Sequence, residues 1–181
     1  MSQSVFIMEA ANIFCGDVDP SLSQHLTISE LKLPNIEENF VDHQAGGSPF
    51  TIEIDTILQR LEATFVLAGW SPEVATMIGS WSVGQNVFTA YGVIRDRRSG
   101  LAHEAKAIMG GRLGRANPAN WTRGSLQHWE YAIRGITHYE LYFNAAEMYY
   151  WDFFLNTCRM GGVDRNADVN RILRIPTVPI G

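Results

Sequence analysis

The chain has 181 residues, 46% of them hydrophobic and 11% aromatic, which is enough apolar surface for one domain with a substantial core and too much for wholesale disorder. Its 14 Lys and Arg against 19 Asp and Glu leave a formal charge of −5, which speaks against a protein that clamps phosphates, because that task needs clustered cations. The first residues lack a basic start followed by a long apolar run, and no stretch approaches the roughly 20 apolar residues of a membrane helix, so neither a secretory leader nor a membrane anchor is expected.

Periodicity of two dominates the pattern. Leu26, Ile28, Leu31 and Leu33 sit among polar neighbours with one slip in phase that predicts a β-bulge, and residues 51–55 alternate polar side chains with Ile52 and Ile54. Both read as antiparallel strands with one wet face. A helix follows: Ser71 is placed to cap it by accepting a backbone N–H, Pro72 and Glu73 suit its first turn, and Gly79 ends it. Residues 86–96 and 101–113 form a hairpin across the polar turn from Arg97 to Gly100. Residues 126–144 put Trp129, Tyr131 and Ile133 on one side and Glu130, Ala132 and Arg134 on the other until Gly135 permits a kink or bulge, and residues 144–147 turn into the next strand. Residues 166–173 read as helical or irregular, and the tail from about 174 to 181, with Pro176 and Pro179, as extended. No repeat or linker divides the chain, so residues 1–181 are expected to form a single domain.

Residues 138–154, HYELYFNAAEMYYWDFF, are unusually aromatic, yet Glu140, Glu147 and Asp152 recur among the rings. Alternation sends Tyr149, Trp151 and Phe153 to one face and Tyr150, Asp152 and Phe154 to the other. A buried core, a platform for stacking nucleic-acid bases and a face that meets another copy all remain open at this point. Base stacking needs cations beside the rings, whereas these rings sit beside acids. The arginines gather elsewhere, at Arg95, Arg97, Arg98, Arg112, Arg115 and Arg123, and read as turns and rims.

Catalytic and metal signatures are weak. Residues 79–84, GSWSVG, match a nucleophile elbow only loosely and read as a helix-ending loop. Residues 109–114, MGGRLG, follow a strand without opening a helix and read as a bulged strand end rather than a phosphate cradle. The five histidines show no metal-ligand spacing, so no metal or cofactor is expected, nor an enzymatic activity. Cys15 and Cys158 fit no zinc pattern; they are expected as thiols in a cytosol, with a bond formed later in oxidising surroundings left open.

Several short motifs in order carry a resemblance to a known family: Asn12-Ile13-Phe14, Leu33-Pro34 before Glu37 and Glu38, Ala45-Gly46-Gly47, the turn holding Pro118, Trp121 and Gly124, and Gly162-Val163-Asp164 followed by Arg171. Over about residues 10 to 174 the chain resembles the major tail tube protein of contractile-tailed bacteriophages, also found as the tube of R-type tailocins. It departs from the family in carrying Asn117, Asn120 and Arg123 where acids are frequent around the tryptophan turn.

The resemblance implies a mainly β fold, an antiparallel β-sandwich or barrel of the tail-tube type with one flanking α-helix, six copies of which close into a ring. Stacked rings would form the inner tail tube of the virion, assembled in the bacterial host cytoplasm, through which DNA is delivered. It also implies partners: other copies of the chain, the tail sheath protein, the tape measure protein and DNA in the lumen without specific binding, and the baseplate and tail terminator. The tube of a tailocin or other contractile injection particle is the alternative, and a nucleic-acid-binding β-barrel is the alternative from another class. On this reading Tyr142, Tyr149, Trp151 and Phe153 are candidates for the contact between subunits, with an all-core role as their alternative. Ala45, Gly46 and Gly47 in the loop 43–49, and Trp121 and Arg123 in the turn 117–124, are candidates for ring stacking. Glu37, Glu53 and Asp55 are candidates for the lumen wall, and Gly162, Val163, Asp164 and Arg171 form the C-terminal motif.

Overall fold

The structure, a computed structural model, describes residues 4–16, 18–79 and 85–176. Residues 1–3, residue 17 of the N-terminal loop, the whole loop 80–84 and the end of the tail, 177–181, lie outside the described residues. Strand β1 (Phe6–Cys15) is followed by a 3-10 turn at Pro20–Leu22 and by β2 (Ile28–Lys32), β3 (Glu38–Gln44), β4 (Thr51–Leu58) and β5 (Ala63–Ala68). Helix α1 (Pro72–Thr76) precedes β6 (Asn86–Asp96), β7 (Ala102–Pro118), β8 (His128–Phe143), β9 (Ala146–Asp152), β10 (Thr157–Met160), β11 (Val163–Asp164) and α2 (Ala167–Leu173).

Nine of the described strands form one antiparallel sheet in the order β1-β6-β7-β8-β9-β10-β11, with β5 paired to the first half of β8 and β2 paired to β5. The sheet doubles over because β7 and β8 are long enough to run through both layers. They bend together where the register slips between Gly110 and Arg112 and again between Leu113 and Arg115. A Cβ on Gly111 would lie 3.1 Å from the Arg134 carbonyl and from the Ile133 and Ile136 side chains, so the two backbones meet there because that side chain is missing. Opposite, Gly135 takes φ +58°. The glycine-rich run therefore lies within a strand, not at its end, and Pro118 closes that strand where its missing donor costs little.

The core lies between the layers. Ile13, Phe88, Met109 and Tyr139 from the first meet Phe65, Leu67, Leu113, Tyr131 and Ile133 from the second. Tyr131 stacks on Phe65 at 5.1 Å and on Trp129 at 6.3 Å, and its buried hydroxyl has no partner among the described residues. One row of cross-strand neighbours, Cys15, Phe88, Met109, Tyr139, Trp151 and Cys158, crosses six strands. Five strand spacings put the two cysteines about 24 Å apart, far beyond disulfide reach, so no bond joins them within one chain. Both thiols are free and buried, and burial pushes that of Cys15 up to about 12.

The expected bulge near Ile28 is present, as a slip between Ile28 and Glu30, although Leu26 precedes the strand and is exposed. The turn into β9 is tighter than expected: Asn144 and Ala145 both have positive φ, 48° and 62°, the pattern of a two-residue type I′ hairpin. The cap of α1 differs from expectation. Ser71 Oγ donates to the Glu73 carboxylate at 3.1 Å and accepts no backbone N–H, and the helix is only five residues long. Residues 166–173 resolve as α2, tied down by asparagines: buried Asn170 donates to the Asn156 carbonyl at 3.0 Å and accepts from Asn156 Nδ2 at 2.6 Å.

Candidate assembly surfaces

The aromatic stretch 138–154 separates into two faces of the β8–β9 hairpin. Tyr139, Leu141, Tyr149 and Trp151 turn inward onto the core, the last three only half-buried. His138, Glu140, Tyr142, Glu147, Tyr150 and Asp152 occupy the other face, joined by Arg159 of β10 opposite Tyr150. Here the carboxylates bind the rings together. Arg159 donates through Nε and Nη2 to the two Glu147 oxygens at 2.9 and 2.7 Å and lies 3.8 Å over the Tyr150 ring. His138 lies between acids, Nδ1 2.9 Å from Asp152 and Nε2 2.9 Å from Glu140, while the Tyr142 hydroxyl donates to Glu140 at 2.8 Å.

Each titration shift has a local cause. The Arg159 guanidinium bonded to Glu147 holds that carboxyl below its usual range despite partial burial. Burial and then the Glu140 carboxylate push the Tyr142 phenol up to about 12. Of the four aromatic contact candidates, the fold thus brings Tyr149 and Trp151 together on the core side. Tyr142 lies on the opposite face, and Phe153 lies in the turn beyond β9, exposed and edge-on to Phe154 at 5.4 Å.

The β3–β4 hairpin is built differently from everything else in the chain. Among the described residues its strands pair only with each other, and every one of their residues is exposed. Direct partners Val41 and Ile54, and His43 and Ile52, share one face; Phe40 and Asp55, Asp42 and Glu53, and Gln44 and Thr51 share the other. The ribbon is therefore apolar on one side and acidic on the other. Asp42 stands directly across from Glu53, a like-charge pairing that destabilises a hairpin. Residues 33–59 hold five acids and no Lys or Arg, which leaves 14 acids against 14 bases in the rest, so the whole net charge resides in this segment.

The remaining candidates distribute around this ribbon. Glu53 and Asp55 lie on its acidic face and Glu37 just before it, with the Glu37 carbonyl accepting from the Gln59 N–H at 2.8 Å to close the base. Ala45, Gly46 and Gly47 form its exposed tip. Trp121 and Arg123 lie far from that tip in the sequence, in the exposed β7–β8 connection, where Trp70, Leu126 and Trp129 complete an open cleft. Gly162 takes φ +81° in the β10–β11 turn, Val163 and Asp164 form β11, and Asp164 accepts the Asn166 N–H at 2.9 Å at the start of α2. Arg171 pairs with Asp168 at 3.0 Å on the exposed side of that helix. The C-terminal motif is thus a turn, a strand and a helix start.

Two of the rim arginines form ion pairs, Arg95 with Glu9 at 2.7 Å and Arg115 with Glu130, and Arg134 of β8 pairs with Glu62 at 3.2 Å. Among the described residues no group of three or more His, Cys, Asp or Glu is placed to hold a metal ion. No described helix is long and apolar enough to cross a membrane. The residues that sequence reasoning missed are Val41 and Asp42 on the ribbon and the Arg159–Glu147 pair. The uninterrupted absence of Lys and Arg from 33 to 59 was the available signal for the ribbon; nothing local pairs residue 147 with 159.

Residues 8–173 match the family model described as phage tail tube protein FII. The chain belongs to that family. It is a structural tail tube protein, and a tube of a phage tail or of a contractile injection particle is compatible with its fold. In a solved structure of the sheath-tube complex of the extracellular contractile injection system PVC, in the extended state, the similar chain is 9% identical with a TM-score of 0.53. The match covers 74% of this tail tube protein and 88% of that chain. A chain in the baseplate structure of the anti-feeding prophage AFP is 13% identical over 78% of this chain and 97% of its own, with a TM-score of 0.46. No curated protein matches the sequence.

Proposed function

We propose that six copies of this chain close into a ring and that the rings stack into the inner tube of a contractile tail. The tube holds the tape measure protein and then passes DNA; its outside meets the sheath, and its ends meet the baseplate and the terminator. The work is that of a wall, without catalysis, and the rings assemble in the host cytoplasm to become part of the virion. In a tailocin or other injection particle the same ring would line the channel without a genome to pass.

The observation that carries this reading is the amphipathic β3–β4 ribbon, exposed on both faces in the single chain. A lone two-stranded hairpin is marginal in water, and an apolar face with open strand edges invites pairing. Identical neighbours satisfy both needs, and the acidic face is left for solvent in the channel. Six copies at −5 give −30 per ring, and a wall bearing part of that charge repels phosphates instead of binding them. Glu37, Glu53 and Asp55 are the residues assigned to that wall. The loop 43–49 and the turn 117–124 are assigned to contacts between stacked rings, and Tyr142 and Phe153 to the neighbourhood of the subunit contact.

Negative-stain microscopy of the purified protein should show rings with six-fold class averages and short tubes; monodisperse single chains at every concentration would refute the assembly. Reversing Glu53 and Asp55 to Lys should slow genome ejection from assembled particles. Ejection kinetics equal to the parent's would remove the electrostatic part of the proposal.

A further inference from the structure

His138 joins two carboxylates that have no other cation. The Asp152 and Glu140 side chains that meet its Nδ1 and Nε2 are only 15% and 16% exposed, and among the described residues neither forms an ion pair with a Lys or Arg. A neutral imidazole carries one N–H and one lone pair, so it donates to one of these acids and turns a lone pair on the other. Only the imidazolium donates to both.

The surroundings leave that charge unreplaced. The titratable groups facing the ring are Glu140 and Tyr142 on β8, Glu147, Tyr150 and Asp152 on β9, and Arg159 on β10. Arg159 is held by both oxygens of Glu147, the Tyr142 hydroxyl donates to Glu140, and the Tyr150 ring meets the imidazole edge-on at 5.4 Å. On β7, Gly110 stands directly beside His138, where a Cβ would lie 3.1 Å from the His138 Cβ, and Lys106 is opposite Tyr142, its ammonium 5.8 Å over the Tyr91 ring.

We infer that His138 is a proton-held tie: its imidazolium binds β8 to β9 and keeps the turn after β9 and helix α2 in place, and loss of that proton loosens both. The route is continuous from atom to atom. Asp152 meets His138 with Oδ2 and accepts the Leu155 N–H with Oδ1 at 2.8 Å, which closes the turn. In that turn Asn156, at φ +47°, anchors α2: its carbonyl accepts from Asn166 Nδ2 at 3.1 Å and from Asn170 Nδ2 at 3.0 Å, and its own Nδ2 donates to Asn170. Asn170 is the buried residue of α2, whereas Val169, Ile172 and Leu173 are exposed, so these amide bonds and not apolar packing hold the helix. An Asp152 that faces a lone pair turns from the ring and gives up the Leu155 N–H. The folded arrangement holds a proton that the loosened one releases, so the tie is complete on the acid side and is lost as pH rises. It belongs to the single subunit and does not depend on the ring reading.

Hydrogen exchange of the full chain, read by mass spectrometry at about pH 6 and about pH 9 and corrected for the intrinsic rate, tests the tie. At the higher pH, amides of residues 155–156 and 170–175 should lose protection by about tenfold or more, while the β6–β7 ladder keeps its own. In His138→Gln, whose amide has no charge to lose, the same amides should be weakly protected at both values. Unchanged protection of α2 in the wild type, a loss shared equally by β6 and β7, or a loss that persists at full size in His138→Gln overturns the inference. If His138→Gln does not fold, the imidazole ¹⁵N resonances of the wild type decide: two protonated nitrogens at about pH 7 are expected, and a single protonated nitrogen refutes the tie.

Discussion

Replacing Ile52 and Ile54 together by Ser yields a chain that folds as before and no longer assembles. Both side chains are exposed in the isolated subunit, 56% and 43%, so the body of the fold loses little. Assembly would bury the half of each that is still exposed, and since full burial of a large aliphatic side chain is worth roughly 1.5–3 kcal/mol, each contributes about half of that. The pair is then worth about 1.5–3 kcal/mol per contact, or one to two orders of magnitude in affinity. Every subunit makes the contact, so the effect compounds around a ring. Sedimentation velocity should show monomer where the parent sediments as rings or tubes, with a melting midpoint within about 2 °C of the parent's. Tubes of normal length from the variant would show that the ribbon's apolar face is not what joins the copies.

Trp151→Ala tests the opposite kind of residue. Its ring lies on the core side of β9 between Tyr139 and Cys158 in the cross-strand row, half-buried and packed against the buried cluster. A fully buried Trp lost to Ala costs about 3–5 kcal/mol, and partial exposure brings the expectation to about 2–4 kcal/mol. The variant should unfold at markedly lower denaturant in circular dichroism, and any failure to assemble should follow from that instability. A variant as stable as the parent yet unable to form rings would place Trp151 at the contact between subunits instead.

The contrast between these two sites marks how far the sequence could be read. The hairpin from Asn86, the polar turn at 97–100 and the bulge near Ile28 follow from local alternation and turn chemistry, and the structure has all three. The doubled sheet was less accessible. Glycines at 110, 111 and 114 look like the end of a strand, because nothing local says that β8 bends beside them and keeps the ladder going to Pro118. The cap of α1 failed for a similar reason: Ser71 had a carboxylate two residues away that competes for its hydroxyl.

The functional surfaces divide the same way. Alternation at 51–55 gave the strand, but the expectation of a single wet face fails because every residue of β4 is exposed: the same pattern describes a strand lying on its own core and a ribbon that packs on nothing in its own chain. The rings and acids of 138–154 showed two faces, and only the fold reveals that Arg159, from beyond the next turn, gathers one of them.

The continuity of β7 and β8 through both layers bears on how a subunit withstands load. In a sandwich whose layers are joined only by loops, axial thrust can slide one layer over the other by exchanging side-chain neighbours. Here two backbones and the hydrogen-bonded ladder between them run across the fold, so such sliding would have to tear consecutive ladder bonds. The subunit resists shear between its layers as a braced frame, and that stiffness is set in the glycine-bent strands themselves.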